Sequence, residues 1–146
     1  MHSEVYGKIE DFLRKQRYKL TRARKEMIRI FDEAHKPLTV QEVYQRLHAT
    51  TADLASIYRS INLFCDLGIL TKLDFHDKQY RYELSDVFVP HHHHLICKQC
   101  GNIDNVFEQC LPEGFEEKIH RQCGFEVESH ILEFYGVCES CAESSS

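Results

Sequence analysis

The stretch HHHHLICKQCG (residues 91–101) joins a run of four histidines to a Cys-x-x-Cys pair. A second pair, CESC (residues 138–141), follows after 37 intervening residues. Two such pairs can surround one tetrahedral zinc ion, and Gly101 allows the tight turn that this arrangement favours. We therefore predict a structural zinc site whose ligands are Cys97, Cys100, Cys138 and Cys141. Because four protein ligands leave no open coordination position, this zinc should not be catalytic.

The alternative for a Cys-x-x-Cys pair is a thioredoxin-like redox site. That chemistry needs the pair to open a helix beside a central strand, and we expect this setting at neither pair. The sequence contains no long apolar stretch and no secretory signal at its start, which predicts a cytoplasmic protein with reduced thiols and no membrane partner. Three cysteines remain outside the pairs. Cys65 is expected in the core, and Cys110 and Cys123 flank a predicted helix.

The four histidines lie in a strand-like run. Successive side chains of a strand point to opposite faces, so His92 and His94 should face one way while His91 and His93 face the other. Each pair can bind a metal ion together with further ligands. Candidates to complete the sites are Glu83, Glu113 and His130. Each of these, considered alone, is more often a surface residue than a ligand.

Charge is distributed unevenly along the chain, whose formal net charge is −5. Residues 1–84 carry 15 Lys and Arg against 12 Asp and Glu, a net of +3. Residues 85–146 carry 3 against 11, a net of −8. This asymmetry indicates two modules with different tasks, of which the first can approach phosphates.

The first module has the pattern of several helices followed by a β-hairpin. Apolar residues recur at helical spacing from residue 4 to 16, and Thr21 and Asp53 are expected to cap two further helices. The stretch TVQE (residues 39–42) is a capping box that opens another helix. Strand-like runs at 69–75 and 79–84 complete a predicted winged helix-turn-helix.

The second module is predicted to be a small α/β domain. Residues 85–90 form a hinge that ends in Pro90. Strands are expected at 91–97, 102–107 and 125–135, with a helix at 113–123. The fold class is therefore α+β. It comprises a winged-helix DNA-binding domain (1–84), the hinge (85–90), and a dimerisation and metal-binding domain with the four-cysteine zinc site (91–146).

These segments resemble the ferric uptake regulator (Fur) family of metalloregulators over nearly the whole chain. The stretches that carry the resemblance are LTRAR (20–24), LTVQEVYQRL (38–47), LASIYRSINLFCDLGIL (54–70), YRYEL (80–84), HHHHLICKQCG (91–101) and GFEVESHILEFYGVCESC (124–141). The resemblance implies a homodimer that represses metal-uptake or stress genes. Metal bound at the hinge would bring the two winged domains into register with a palindromic double-stranded operator. Such a metal must bind the closed state better than the open one.

The resemblance also implies roles for single residues. The four cysteines named above are the implied ligands of structural zinc. Glu83, His92 and His94 are the implied ligands of the regulatory metal at the hinge. The implied second metal site comprises His91, His93, Glu113 and His130. The implied DNA contacts are made by Lys19, Arg24, Tyr58 and Arg59, with the fourth helix in the major groove.

The sequence departs from the family pattern near both regulatory sites. Pro37 stands where the family usually has a histidine of the DNA-binding domain, and His35 is a candidate replacement as a regulatory ligand. His93 stands where many relatives have aspartate, and Asn105 where a carboxylate is common. The oxygen ligand Glu83 favours Fe²⁺ as the sensed metal. The departures favour Zn²⁺ as the next choice, with peroxide sensing third and Mn²⁺ as a further regulatory ion.

Two other classes of function compete with a repressor. A zinc-dependent hydrolase would need an open three-ligand site with a general base, and no His-Glu-x-x-His or comparable motif occurs. A zinc-ribbon adaptor without DNA binding would not explain the basic first third of the chain. The sequence therefore predicts a non-enzymatic regulator.

Overall fold

The structure, a computed structural model, describes residues 3–47, 52–107 and 111–144. Cys110 lies outside these residues. The chain divides into two compact units, Met1–Pro90 and His91–Ser146, which we call the first and second unit. None of the helices in the described part of the chain is long and apolar enough to cross a membrane.

The first unit has the predicted winged-helix elements. They are α1 (Glu4–Lys15), α2 (Arg22–Ala34), α3 (Val40–Arg46), α4 (Leu54–Asp66), β1 (Leu70–Asp74) and β2 (Tyr80–Leu84). The caps at Thr21 and Asp53 and the capping box at Thr39 form as expected. The two strands pair as an antiparallel hairpin, the wing, and an isolated bridge between Leu38 and Tyr82 adds a third short segment to it.

One apolar core holds the first unit together. Its fully buried side chains include Ile9 from α1, Met27 from α2, Val43 from α3 and Ile61 from α4. The segment that the sequence predicted as a hinge packs partly against the same core, through Phe88 and Val89 among other side chains. The backbone N–H of Ser85 also donates to the carbonyl of Ile69 at 2.9 Å.

The second unit is a small three-stranded sheet with two helices. Its elements are β3 (His93–Cys97), β4 (Ile103–Val106), α5 (Phe115–Cys123), β5 (Glu133–Gly136) and α6 (Glu139–Ser144). The strand order is β4-β3-β5, with β3 antiparallel to β4 and parallel to β5. The α+β fold class is confirmed, and the central strand carries His93 and His94, the second half of the histidine run.

One sequence expectation for the second unit was wrong. The long strand expected at 125–135 is only Glu133–Gly136, because β3 is short and offers pairing partners only from His94 to Cys97. The second cysteine pair lies at the start of a helix, α6. That helix nevertheless follows an edge strand of the sheet and not the central one.

Candidate metal sites and nucleic-acid interface

The four cysteines of the two pairs come together at one end of the second unit. Cys97 ends β3, Cys100 follows in the turn, Cys138 comes directly after β5, and Cys141 lies in α6. All four sulfur atoms lie within 4.8 Å of one another, and the Cys100 and Cys138 sulfurs are 3.8 Å apart. Ligands about 2.3 Å from a tetrahedral zinc ion are about 3.8 Å from each other. The cluster therefore fits a structural zinc ion.

Backbone N–H groups point at the sulfurs of this cluster. The N–H of Cys138 donates to the Cys97 sulfur at 3.3 Å, and that of Asn102 donates to the Cys100 sulfur at 3.4 Å. Backbone N–H groups of Cys100 and Cys138 lower the pKa of Cys97 to about 6. Hydrogen bonding to the Cys138 thiol raises the pKa of Cys141 to about 12. A dication that draws all four thiols into the thiolate form relieves this competition for protons.

On one side of β3, three imidazoles form what we call the three-histidine cluster: His91, His93 and His130. The ring centroids of His91 and His93 are 4.7 Å apart, and those of His91 and His130 are 5.6 Å apart. One ligand nitrogen from each ring lies within 4.8 Å of the others, close enough for one ion after small ring rotations. Imidazole nitrogen suits late first-row cations such as Zn²⁺, Fe²⁺ and Ni²⁺.

His93 is the buried member of the cluster, with 4% of its surface exposed. Its buried Nε2 atom has no hydrogen-bond partner within the described residues. Burial, followed by the charges of the neighbouring histidines, lowers the pKa of His93. This shift favours the neutral ring, which is the form that binds a metal.

A carboxylate that the sequence did not single out joins this cluster. Nδ1 of His130 and Oε1 of Glu116, in the first turn of α5, are 3.0 Å apart. Glu113, the carboxylate implied by the family resemblance, is exposed one residue before Gly114 and is not part of the cluster. No periodicity in the sequence distinguishes the two glutamates, because the contact depends on where the first turn of α5 lies relative to His130.

The other two histidines of the run lie on the opposite side of β3, as the alternation predicted. The ring centroids of His92 and His94 are 5.0 Å apart, and Phe107 lies 5.5 Å from His92. Asn105 is directly opposite His94 in the β3–β4 ladder.

The remaining predicted ligands belong to the first unit. Glu83 is half-buried in β2, opposite Thr71. His35 ends α2 in the left-handed conformation, with φ of 52°. Within the described part of the chain, His35 joins none of the groups of three or more metal-ligating side chains.

A groove in the first unit is lined by four basic side chains. This basic groove has a volume of about 730 Å³ and is lined, among other residues, by Lys19, Arg22, Arg24 and Arg59. Arg24 is fixed there, because it donates to the carbonyl of Lys19 at 2.9 Å and to the Ser60 hydroxyl at 3.4 Å. Such a groove can hold a phosphate backbone. Arg22 and Ser60 were not predicted as functional residues, although Arg22 adjoins the predicted contacts.

Helix α4 presents two predicted DNA contacts at the protein surface. Its inner face buries Ile57, Ile61 and Phe64 in the core. Tyr58, 44% exposed, and Arg59 lie on the outer face, and the Arg59 guanidinium donates to the Ser56 hydroxyl at 3.0 Å. An exposed ridge on the second helix of a helix-turn-helix is the surface that enters a DNA groove.

Comparison with known proteins agrees with this architecture. The Ferric uptake regulator family matches residues 15–135. The ferric uptake regulation protein of Bacillus subtilis is 34% identical over 138 residues, covering 92% of each chain. The peroxide-responsive repressor PerR of Staphylococcus epidermidis is 32% identical over 133 residues, covering 90% of this chain and 86% of its own.

Among solved structures, the Helicobacter pylori ferric uptake regulator has the same fold. It superposes with a TM-score of 0.78 at 22% identity, covering 97% of this chain and 94% of its own. The family match spans most of the chain, and the fold agrees in both units. The chain therefore belongs to the ferric uptake regulator family, whose members are metal-responsive transcription regulators.

Proposed function

We propose that the chain is a metal-dependent transcriptional repressor that binds palindromic operator DNA as a homodimer and controls iron uptake. The basic groove beside the exposed ridge of α4 is the observation that carries this proposal. The groove provides cationic side chains, and α4 provides an exposed helix face beside them. Both belong to the first unit, whose residues up to 84 carry a net charge of +3. Phosphate contacts from such side chains provide affinity, and the helix provides contacts to base edges.

In this proposal α4 lies in the major groove. Tyr58 and Arg59 contact bases and phosphates there, while Lys19 and Arg24, which line the basic groove, contact the DNA backbone or the minor groove. The fixed guanidinium of Arg24 supports this role, because a preordered donor loses less conformational entropy on binding.

The homodimer would form through the second unit. Several large apolar side chains of its sheet are exposed in the single chain, among them Leu95 (40%), Phe134 (49%) and Tyr135 (43%). Apolar surface of this kind on a small domain marks an interaction surface. Two identical second units would hold two winged domains for the two halves of a palindrome.

Metal would act at three places. Zn²⁺ held by Cys97, Cys100, Cys138 and Cys141 is structural. The regulatory ion is assigned to Glu83, His92 and His94, with His35 as a candidate fourth ligand. A second ion is assigned to His91, His93, Glu113 and His130. Regulatory metal favours DNA binding to the extent that it binds the repressing conformation better than the other.

Fe²⁺ is our first choice for the regulatory ion, because the Glu83 carboxylate suits iron and the B. subtilis relative is a ferric uptake regulation protein. Zn²⁺ is the second choice, in view of the histidine-rich ligand set, and Mn²⁺ is a further candidate. Peroxide sensing, the role named for the S. epidermidis relative, ranks third. We place the protein in the cytoplasm, together with its DNA target and the reduced thiols that its zinc site needs.

A DNA-binding titration tests the proposal. A duplex is first selected from a random-sequence pool by the metal-loaded protein, and binding is then followed by fluorescence anisotropy with Fe²⁺ (under anaerobic conditions), Zn²⁺, Mn²⁺ or a chelator that leaves the structural zinc in place. We expect tight binding only with the regulatory metal. Arg59→Ala should weaken binding by about 1–3 kcal/mol, as expected for loss of a base or phosphate contact.

The matched control is Arg14→Ala, since Arg14 is an exposed arginine of α1 paired with Glu10 and does not line the basic groove. This variant should bind DNA like the parent. Unchanged binding with chelator would show that metal does not switch the protein. Equal affinities of the two variants and the parent would show that α4 is not the recognition helix.

A further inference from the structure

The three-histidine cluster has a feature that the family assignment does not explain, namely the contact between His130 and Glu116. Glu116 lies on α5, and Gly124 ends that helix before the chain reaches His130. The carboxylate oxygen and Nδ1 are 3.0 Å apart, which is the length of a good hydrogen bond. The side chains of His130 and Glu116 are 28% and 48% exposed, so solvent only partly screens the pair.

The chemistry of the pair fixes the direction of this hydrogen bond. An ionised carboxylate accepts hydrogen bonds and does not donate them, so Nδ1 must carry the proton. In a neutral imidazole the proton on Nδ1 leaves Nε2 with its lone pair. Histidine ligands of metal ions commonly donate their other ring N–H to a carboxylate in this way, which orients the ring and makes the ligand nitrogen more basic.

The buried ring of His93 also indicates that an ion binds at this cluster. His93 is 4% exposed, and its Nε2 has no hydrogen-bond partner in the part of the chain that the structure describes. A buried nitrogen without a partner costs free energy unless an ion or a donor meets it. His91 and His130 have their rings 4.7 Å and 6.0 Å from that of His93, so an ion that met the buried nitrogen would be within reach of both.

We infer that Glu116 is a positioning residue of the second metal site: it holds His130 protonated at Nδ1, so that Nε2 faces the metal beside His91 and His93. This inference rests on the proposed second metal site and adds a residue to it. Glu113 stays the candidate for direct ligation, and Glu116 acts through His130. With three imidazoles as the main ligands, the site takes a late first-row divalent cation such as Zn²⁺ in preference to Mg²⁺ or Ca²⁺.

The test uses the ¹⁵N-labelled full chain with its structural zinc in place. A long-range ¹H–¹⁵N correlation spectrum of the histidine rings reports which nitrogen of His130 carries the proton, and a Zn²⁺ titration then follows His91, His93 and His130 individually. We expect the parent to show the Nδ1–H tautomer of His130. Glu116→Ala should lose this preference and bind Zn²⁺ at these rings roughly 10- to 100-fold more weakly.

Two variants make the result specific. Glu117→Ala removes the neighbouring acidic residue from the same helical turn and should behave like the parent. Glu116→Gln keeps a carbonyl oxygen that can accept from Nδ1, but its amide NH2 can also donate to Nδ1, so it should show a weaker preference for the Nδ1–H tautomer than the parent. Alanine is a good helix former, so the exposed position should tolerate it without loss of the fold.

The outcomes separate the two proposals. If Glu116→Ala keeps both the tautomer and the Zn²⁺ affinity of the parent, the positioning role is wrong while the metal site stands. If Zn²⁺ moves none of the three ring signals in the parent, the proposed second metal site is wrong, and the ligand role of His130 with it.

Discussion

Replacing one zinc ligand should unfold the second unit and leave the first unit folded. Cys138→Ser removes a sulfur that lies 3.8 Å from that of Cys100 in the four-cysteine cluster. Serine is a poor zinc ligand at neutral pH, so the variant should lose the ion. The consequence then depends on what else holds each unit together.

The second unit has little apolar core. Among the residues that the structure describes, its buried side chains are Cys97, Ile103, His93 and His94. The described residues of α5, β5 and α6 are all at least partly exposed. Burying one Ile side chain contributes about 1.5–3 kcal/mol. Binding of a structural zinc ion contributes on the order of 10–16 kcal/mol. Zinc binding therefore stabilises the second unit several-fold more than this apolar burial does, whereas the first unit has a continuous core of its own.

Backbone ¹H–¹⁵N spectra of the full chain measure the result, and metal analysis of the same samples measures the bound zinc. In Cys138→Ser we expect the signals of the second unit to collapse into the narrow range of an unfolded chain while those of the first unit keep their dispersion. Cys123→Ser is the matched control, because this exposed cysteine of α5 lies outside the cluster. Dispersed β3 and β5 signals in zinc-free Cys138→Ser would refute the reasoning, since apolar contacts would then suffice without the ion.

Two further predictions concern the stability of the first unit, measured by urea denaturation followed at first-unit amide signals. Thr39→Ala removes the hydroxyl that accepts from the backbone N–H of Glu42 in the capping box and should cost about 1 kcal/mol. Glu42→Gln should cost less, because glutamine also completes such a box. No loss of stability in Thr39→Ala would contradict the stabilising role of the cap. Ile61→Ala, at a side chain with no exposed surface, should cost about 2–5 kcal/mol and Ile61→Val only about 0.5–1.5 kcal/mol. An alanine variant that lost less than about 1 kcal/mol would contradict the assigned core face of α4.

Sequence reasoning predicted the first unit well because its signals are local. The residues that cap α2, α3 and α4 each accept a hydrogen bond from a backbone N–H a few positions ahead, so the sequence next to the cap is sufficient to predict it. The wing follows from two β-rich runs around a short turn. The second unit was predicted less well, because the length of β5 depends on how much of β3 is available for pairing.

The histidine run shows where local reasoning ends. Alternation along a strand predicted that His91 and His93 share one face and His92 and His94 the other, and the ring contacts agree.

The carboxylate partner of His130 could not be found in that way. The family resemblance implied Glu113 as a ligand of the second metal site, whereas the carboxylate beside His130 belongs to Glu116, three residues further along the chain. Glu116 lies in the first turn of α5, which follows Gly114 in the left-handed conformation, and its carboxylate is the one within hydrogen-bond distance of His130. The sequence can thus predict which histidines of one run lie on the same face, because that follows from alternation along a strand. The sequence cannot predict which side chain of α5 meets His130, because that depends on where the first turn of the helix lies in the folded unit.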